Sequence, residues 1–303
     1  MWYLNSRGKP LTDPPFHRFF DFIAPEAERF DILRSLLPEM GLKHLIFPVA
    51  GNRHFLIFPP GGGLPFQGHP PATVLAAHYD RAPGSPGAND NSAAVFLLLR
   101  AAQKTRNPVS WMIVLTDKEE LQSGQGIRDQ GAYSLGEALR RGGIGAVKVF
   151  IFDACGAGDT LVISTGTDRL LRDKTGAGAL HTRFSIRVLR DQALRAARSI
   201  GLERVVLLPT PFSDDAGFLR SGISAQTITV LPQAEASAFA SMVRARPELA
   251  GALISREQAR GLEAALIPET WRRLNTPGDT CHKLSPEHFD MVSRFAGELL
   301  RGD

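Results

Sequence analysis

The sequence has little cysteine: Cys155 and Cys281 are the only two among 303 residues. Two cysteines cannot build the disulfide framework of a small secreted protein. The first residues, MWYLNSRGKPLTDPPF, contain early prolines and no apolar segment of the kind that a secretory signal requires. These features predict a protein of the reducing cytoplasm.

Long apolar runs and dense basic clusters are also missing. No run approaches the ~18 apolar residues that cross a bilayer. The formal net charge is +4, but its densest positions are only the pairs Arg140-Arg141 and Arg272-Arg273. Binding to nucleic acid needs several convergent cations, because each neutralises a phosphate. The sequence therefore argues against a membrane protein and against nucleic acid as a partner. It does not indicate an oligomeric state.

The composition is that of an ordinary globular protein, with 43% hydrophobic and 22% charged residues. The length suits one large domain better than two, so we expect a single domain over residues 1–303. Within residues 1–70 we expect an amphipathic helix at 25–39 and a hairpin formed by LKHLIFPV and HFLIFPP. Gly51-Asn52 is the predicted turn of that hairpin, and residues 59–71 are a predicted surface loop.

Beyond the loop, apolar runs alternate with helical segments. TVLAAHYD, SWMIVLTD, VKVFIFDA, TLVIST, VVLLPT and AQTITVL have the composition of buried strands. Helices are predicted for NSAAVFLLLRAAQKT, with Asn91 or Ser92 as its cap, for 131–142, 190–200 and DAGFLRSG, and for the final SPEHFDMVSRFAGELLRG. The pattern predicts an α/β fold of three layers, α/β/α, around a mixed, mostly parallel sheet.

Residues 233–272 interrupt this alternation, because they are rich in Ala, Arg and Glu and contain no strand pattern. We interpret them as a helical insertion. It could serve as a lid or an association surface, or it could consist of two extra helices that cover an edge of the sheet.

Acidic and imidazole side chains follow three of the predicted strands. Ligand sites of open α/β sheets lie at the carboxyl ends of the strands. Each such residue alone is commonplace, but the set together predicts a site for a divalent cation. Its members are His78 and Asp80, Asp90 in the next loop, Glu119 and Glu120, and Asp153.

The motifs AHYD, GANDN, DKEE, FDA, SDDAGF and NTPGDT, in this order over residues 74–301, resemble those of the co-catalytic zinc aminopeptidases of clan MH, whose relatives include the glutaminyl cyclases. The resemblance implies a zinc-peptidase-like fold and a metal-dependent hydrolase of peptide or amide bonds, with an aminopeptidase as the main expectation. The substrate would be a peptide or an amide.

The resemblance also assigns roles. A first zinc would be held by His78, Asp90 and Asp153, and Asp90 would bridge to a second ion at Glu120 and Asn275. Glu119 would be the general base, and Asp80 would orient the imidazole of His78. Asp214 would lie beside the site as a further catalytic residue. The family pattern also suggests a cis peptide bond between Asp90 and Asn91.

Three positions depart from the family pattern. Asn275 stands where the family has a histidine ligand, Asp215 replaces a histidine, and His282 replaces an aspartate. Because an amide oxygen is a poor ligand for zinc, we expect zinc at the first position and a second position that is weak, empty or filled by another divalent ion. His282 could substitute as a ligand, although a surface or capping role is more usual.

Two other functional interpretations remain open at this point. The chain could be a non-catalytic descendant that binds peptides or a partner protein, although it retains both Glu119 and Glu120. It could also be an acyltransferase like the glutaminyl cyclases, although loss of the histidine at Asn275 argues against this. Cys155 and Cys281 could be thiolate ligands near the site, but small buried hydrophobes are the favoured interpretation.

Overall fold

The described part of the chain is built on one mixed sheet of eight strands. The structure is a computed structural model that describes residues 15–59, 71–105, 111–145, 147–172, 174–253 and 266–302. The strands are β1 (Lys43–Val49), β2 (Asn52–Phe58), β3 (Thr73–His78), β4 (Trp111–Thr116), β5 (Lys148–Phe152), β6 (Thr160–Ser164), β7 (Val205–Leu208) and β8 (Ala225–Leu231). Their order in the sheet is β1-β2-β4-β3-β5-β8-β6-β7.

The directions of the strands decide where a site can form. Strands β4, β3, β5 and β8 are mutually parallel, so their carboxyl ends lie at one end of the sheet. β1 and β2 form an antiparallel hairpin, and β2 joins β4 antiparallel. β6 is antiparallel to β8 and parallel to β7, so the carboxyl ends of β6 and β7 lie at the opposite end.

Helices cover both faces of the sheet. They are α1 (Phe19–Ile23), α2 (Arg29–Glu39), α3 (Ala94–Lys104), α4 (Gly131–Arg141), α5 (Gly166–Leu170), α6 (Ala177–Ser199), α7 (Asp214–Ser221), α8 (Gln233–Ala245), α9 (Glu248–Leu253), α10 (Glu269–Arg273) and α11 (Phe289–Arg301). One face packs against α1, α2, α3, α6 and α11, and the other against α4, α7 and, near β7, α8 to α10. The predicted three-layer α/β fold is confirmed.

Alternation along the strands explains the two cores. Leu75, Ile113 and Phe150 pack on the face of α3 and α11, whereas their neighbours Val74 and Val114 pack on the face of α4 and α7. Successive side chains of a strand point to opposite faces, so a strand that is buried on both faces must be apolar throughout. This is why these strands appear in the sequence as continuous apolar runs.

The hairpin corrects one detail of the sequence analysis. Val49 pairs with Asn52, so the turn consists of Ala50 and Gly51 rather than Gly51-Asn52. Both turn residues have positive φ, 51° at Ala50 and 80° at Gly51. A two-residue turn with positive φ at both positions matches the twist of the flanking strands, and glycine adopts it without steric cost.

The start of α3 holds a second correction, because neither Asn91 nor Ser92 caps the helix. Asn91 donates its amide to the Phe152 carbonyl (2.8 Å), and the Ser92 hydroxyl donates to the carbonyl of Gly87 (2.5 Å). Both side chains tie the entry loop to its surroundings instead. α6 is also longer than predicted, since it begins at Ala177 and not near residue 190.

Two predicted segments are only partly described. In residues 233–272 the described part consists of α8, α9 and α10, with no described residue in a strand, and these helices pack on the sheet beside β6 to β8. The predicted loop 59–71 lies almost wholly outside the described residues. The division of the chain into a single domain with an insertion stays a prediction. Among the described residues, no helix is long and apolar enough to cross a membrane.

Candidate metal centre

Three neighbouring strands bring the predicted residues to one end of the sheet. His78 is the last residue of β3, Glu119 and Glu120 follow β4, and Asp153 directly follows β5. Because β4, β3 and β5 are adjacent and parallel, their carboxyl ends meet. Asp90 joins them from the loop between β3 and α3.

His78 lies at the centre of the cluster and is fully buried. Its Nε2 lies 3.1 Å from Oδ1 of Asp90 and 3.8 Å from Oδ1 of Asp153, and its Nδ1 lies 3.4 Å from Oδ1 of Asp80. Burial disfavours the charged imidazolium, but the three carboxylates outweigh it and hold the pKa of His78 well above its usual value.

Two sets of side chains in this cluster could each hold a metal ion. One is His78, Asp90 and Asp153, and the other is His78, Glu119 and Glu120. Within each set, one potential ligand atom per residue lies within 4.8 Å of those of the other members. The structure therefore brings six of the eight predicted site residues together. They are the members of these two sets and Asp80, which lies beside His78.

Asp80 links the imidazole to the two glutamates. Its carboxylate accepts the backbone N–H of Glu119 (3.1 Å) and of Glu120 (3.0 Å). Burial alone would raise the pKa of Asp80, but His78 and these two N–H groups reverse the effect, and the pKa lies below its usual value. An ionised Asp80 can orient His78 while it fixes the loop that carries Glu119.

The loop that carries Asp90 is held by Asp279. The Asp279 carboxylate accepts the backbone N–H of Asn89 (2.9 Å) and of Asp90 (3.0 Å), and its pKa is raised to about 6 by burial. The peptide bond from Asp90 to Asn91 is cis, as predicted. A Cβ at Gly87 would lie 2.7 Å from the Asp90 carbonyl oxygen, so only glycine fits there.

Arg29 of α2 also holds this loop. This arginine is 6% exposed, and its guanidinium donates to the carbonyls of Tyr79 (3.1 Å), Asp80 (3.0 Å) and Pro86 (2.8 Å) and to the hydroxyl of Ser92 (2.9 Å). Burial lowers the pKa of Arg29 to about 9. The sequence analysis missed Arg29 and Asp279. Arg29 precedes Leu33 by four residues, so the two lie on the same face of α2. A charged residue in this apolar stripe was the available signal for Arg29.

Glu119 is enclosed by polar side chains. The Gln130 amide donates to Oε1 of Glu119 (3.0 Å) and to the carbonyl of Ser213 (3.3 Å). Burial, and then repulsion from Glu120 and Asp214, raise the pKa of Glu119 well above its usual value despite the nearby His78. Asp214 accepts a hydrogen bond from Thr116, and burial raises its pKa to about 7.

The unsatisfied atoms of this cluster fit a bound cation. Both ring nitrogens of His78, Oε1 of Glu120 and Oδ1 of Asp153 are buried without a hydrogen bond of acceptable geometry. Burial and the charge of Asp90 raise the pKa of Glu120 to about 9. Crowded carboxylates around one imidazole repel each other unless a cation neutralises them. One imidazole nitrogen with several carboxylate oxygens is a donor set that zinc accepts.

Comparison with known proteins identifies the family of the chain. The family model of peptidase family M28 matches residues 64–299, which is more than half of the chain. The chain belongs to peptidase family M28. No curated protein sequence matches it.

Solved structures share the fold of this M28 chain at low sequence identity. A leucine aminopeptidase precursor from Bacteroides thetaiotaomicron is 13% identical with a TM-score of 0.61, and the match covers 100% of this chain and 96% of that one. A glutaminyl cyclase from the same organism is 14% identical with a TM-score of 0.59, over 100% and 97%. The zinc aminopeptidase BSAP from Bacillus subtilis is 18% identical with a TM-score of 0.51, over 82% of this chain. The chain spans about half of BSAP, 49% of its length.

The three positions that the sequence analysis set apart, Asn275, Asp215 and His282, have different surroundings. Asn275 is exposed in the turn after α10, with φ 62°, and His282 is exposed in a short 3-10 turn. Asp215 is buried, but its Oδ1 accepts the backbone N–H of Ser213 (3.0 Å) at the start of α7. The assignment of Asn275 to a metal therefore stays a prediction.

The cysteines lie in apolar surroundings. Cys155 is 2% exposed within the main core, where its thiol contacts the carbonyl of Ile228 (3.4 Å), and burial raises its pKa well above the usual value. Cys281 is half-buried and packs against the same core. The structure thus agrees with the interpretation of both as small hydrophobes.

Asp215 should make the protein less stable at higher pH. Burial raises the pKa of Asp215 from its usual range near 4 to about 7. Its contribution to stability is therefore complete below about pH 4 and is lost as the pH rises through 7. Asp215→Asn keeps the acceptor for Ser213 but cannot ionise. Between pH 5 and 8, we expect the free energy of unfolding to fall by ~1–3 kcal/mol less in the variant than in the wild type. Urea titrations at each pH measure this difference. An identical pH dependence in both proteins would contradict this assignment.

Proposed function

We propose that the chain is a zinc-dependent aminopeptidase in which Glu119 is the general base. One observation carries the proposal: a ligand set centred on the buried His78 lies directly beside a half-buried glutamate, Glu119, that no salt bridge to a described residue neutralises. A peptide or amide substrate follows from membership in a peptidase family. Metal roles for His78, Asp90 and Asp153, with Glu120 as ligand of a second ion, belong to this proposal.

Zinc held by these residues would polarise the scissile carbonyl and lower the pKa of an attacking water. Glu119 would accept the proton of that water and return it to the leaving amine. A raised pKa suits this role, because a base that must also release its proton works best near the operating pH. The amide of Gln130 holds Oε1 of Glu119, which leaves the other oxygen for the reaction.

Asp80 and Asp214 support the chemistry, and neither needs to contact the substrate to do so. Asp80 orients His78 and the backbone of both glutamates. Asp214, with its pKa raised to about 7 by burial, lies close enough to Glu119 to raise the pKa of that base. Its hydrogen bond with Thr116 fixes its position at the end of β4.

The two metal positions should differ in affinity. The first has an imidazole and two carboxylates, whereas the second has Asp90, Glu120 and at most the neutral amide of Asn275. Nitrogen ligands suit zinc better than amide oxygens. We therefore propose one tightly bound zinc at the first position and weak zinc or another divalent ion at the second.

Asn275→His tests this asymmetry. The variant should tighten zinc binding at the second position by about tenfold or more and leave the first position unchanged, as measured by competition with a chromophoric chelator. An increase in affinity at the first position, or none at either, would show that residue 275 is not directed toward the second position. His282→Ala is the control, because an exposed His282 should leave both affinities unchanged.

Activity assays separate the remaining candidates. Zinc-loaded protein should hydrolyse aminoacyl-arylamides and lose that activity with a chelator. A glutaminyl cyclase would instead convert a peptide with N-terminal Gln, and a binding descendant would do neither while still holding peptide. The fold alone does not decide among them, because both aminopeptidases and glutaminyl cyclases share it. A cytoplasmic location stays a prediction from the sequence.

A further inference from the structure

Strand β7 is the last strand of the sheet that the structure describes. It pairs with β6 on one side, where the carbonyls of Arg204 and Leu208 accept the N–H of Leu161 and Thr165. Because successive residues of a strand direct their backbone groups to alternate sides, the N–H and C=O of Leu207 point away from β6. No described strand pairs with them. An edge with such groups is a template for an added strand.

A groove of about 650 Å³ lies beside this edge. Its apolar surface comes from Val206, Leu207 and Leu208 of β7 and from Ala240 and Val243 of α8. Leu207 is 44% exposed, so part of this apolar surface is open to solvent. The volume lies in the range of ~300–1,000 Å³ that is typical of binding sites.

The rim of the groove is positively charged. Arg169, Arg172 and Arg244 line it. Asp168, the one acidic residue among the described lining residues, is paired with Arg190 of α6. Arg169 donates to the carbonyl of Pro247 (2.9 Å). In the described part of the chain, no carboxylate forms an ion pair with Arg172 or Arg244. Their charges are therefore available to an anionic ligand.

The groove is separate from the metal centre. Its residues come from β7, α8 and the segment around α5, and none of the metal-centre residues lines it. β6 and β7 also run opposite to β8, so their carboxyl ends lie at the other end of the sheet from His78. A ligand in the groove would not occupy the position of a substrate at the metal centre.

We propose that this groove binds an extended acidic peptide segment of a partner protein, which adds to β7 as a further strand. The free backbone groups of Leu207 would pair with the segment, its apolar side chains would cover the groove, and its carboxylates would contact Arg172 and Arg244. A second copy of this chain fits less well. In such a dimer the VVLL strands of the two copies would pair, and the arginines of one copy would face those of the other. Like charges that face each other oppose association.

The charge requirement can be tested by fluorescence anisotropy. The probe is a fluorescein-labelled heptapeptide of alternating Glu and Val, N-acetylated so that an aminopeptidase cannot degrade it. Arg172→Glu/Arg244→Glu should weaken its binding at least tenfold, about 1.4 kcal/mol. The matched control is Arg141→Glu/Arg220→Glu, a reversal of two exposed arginines on α4 and α7 that do not line the groove. That control should change the affinity less than twofold.

The strand requirement is tested with the wild-type chain and a second probe. The same peptide with N-methyl groups at alternate residues cannot donate to β7, so it should bind at least tenfold more weakly. The proposal would be overturned by any of three results. The two probes could bind equally, the two double variants could weaken binding equally, or the first probe could fail to bind up to about 1 mM. So would a dimer in solution that dissociates in the groove variant. Hydrolysis of an aminoacyl-arylamide should be the same in both double variants, so failure here is distinct from failure of the proposed activity.

Discussion

Glu119→Gln should lower turnover of an aminoacyl-arylamide by roughly 10² or more and leave the fold and metal content unchanged. Glutamine keeps the shape of the side chain and its acceptor for Gln130, but it cannot take up a proton. Because burial, together with repulsion from Glu120 and Asp214, raises the pKa of Glu119, neutralising this carboxylate should not destabilise the site. The effect should therefore appear in kcat far more than in KM.

Glu203→Gln is the matched control, since Glu203 is exposed in the loop between α6 and β7. It should keep wild-type turnover. Zinc analysis on each variant separates loss of a base from loss of the metal. If Glu119→Gln retains a near-wild-type rate on a verified substrate, the base is another residue.

Arg29→Met should destabilise the protein by ~3–5 kcal/mol, the range seen when one member of a buried charged network is removed. Methionine fills much of the same volume but leaves the carbonyls of Tyr79, Asp80 and Pro86 without their donor. These carbonyls belong to the two segments that carry Asp80 and Asp90. We therefore also expect weaker zinc binding in the variant, measured under conditions in which it is fully folded.

Arg34→Met provides the comparison within the same helix. Arg34 is 62% exposed and its ion pair with Asp31 lies at the surface, so its loss should cost less than ~1 kcal/mol. Urea unfolding of the wild type and both variants gives the three free energies. A loss below about 1 kcal/mol for Arg29→Met would mean that these hydrogen bonds do not hold the loops together.

The sheet and the centre of the site were predictable because their signals are local. Each strand of the parallel core is buried on both faces, so it appears as an apolar run that ends in polar residues. His78 and Asp153 are the residues at which two of those runs end, and adjacency of parallel strands brings them together. No knowledge of distant contacts was needed for either step.

The supports of the site were not predictable in the same way. Arg29 reaches the site over 50 residues of sequence to Tyr79, and Asp279 reaches Asp90 over 189. Arg29 stands in the apolar stripe of α2 and Asp279 in the NTPGDT motif, but neither signal identifies the partner that the side chain reaches. The hairpin turn was misplaced by one residue because a positive φ at Ala50 has no sequence signature of its own. The roles of Asn91 and Ser92 were wrong for a similar reason: their partners are Phe152 and Gly87, not the helix that they precede.

The central claim is that His78, Asp90 and Asp153 hold a zinc ion on which hydrolysis depends. The direct measurement is the zinc content of chain purified without chelator, combined with an anomalous map and with aminoacyl-arylamide hydrolysis before and after chelation. The claim predicts full occupancy beside His78, weak or absent zinc beside Glu120, and activity that a chelator abolishes and zinc restores. A chain that hydrolyses the substrate equally well after chelation, or one that holds its ion at Glu120 with none at His78, would contradict it.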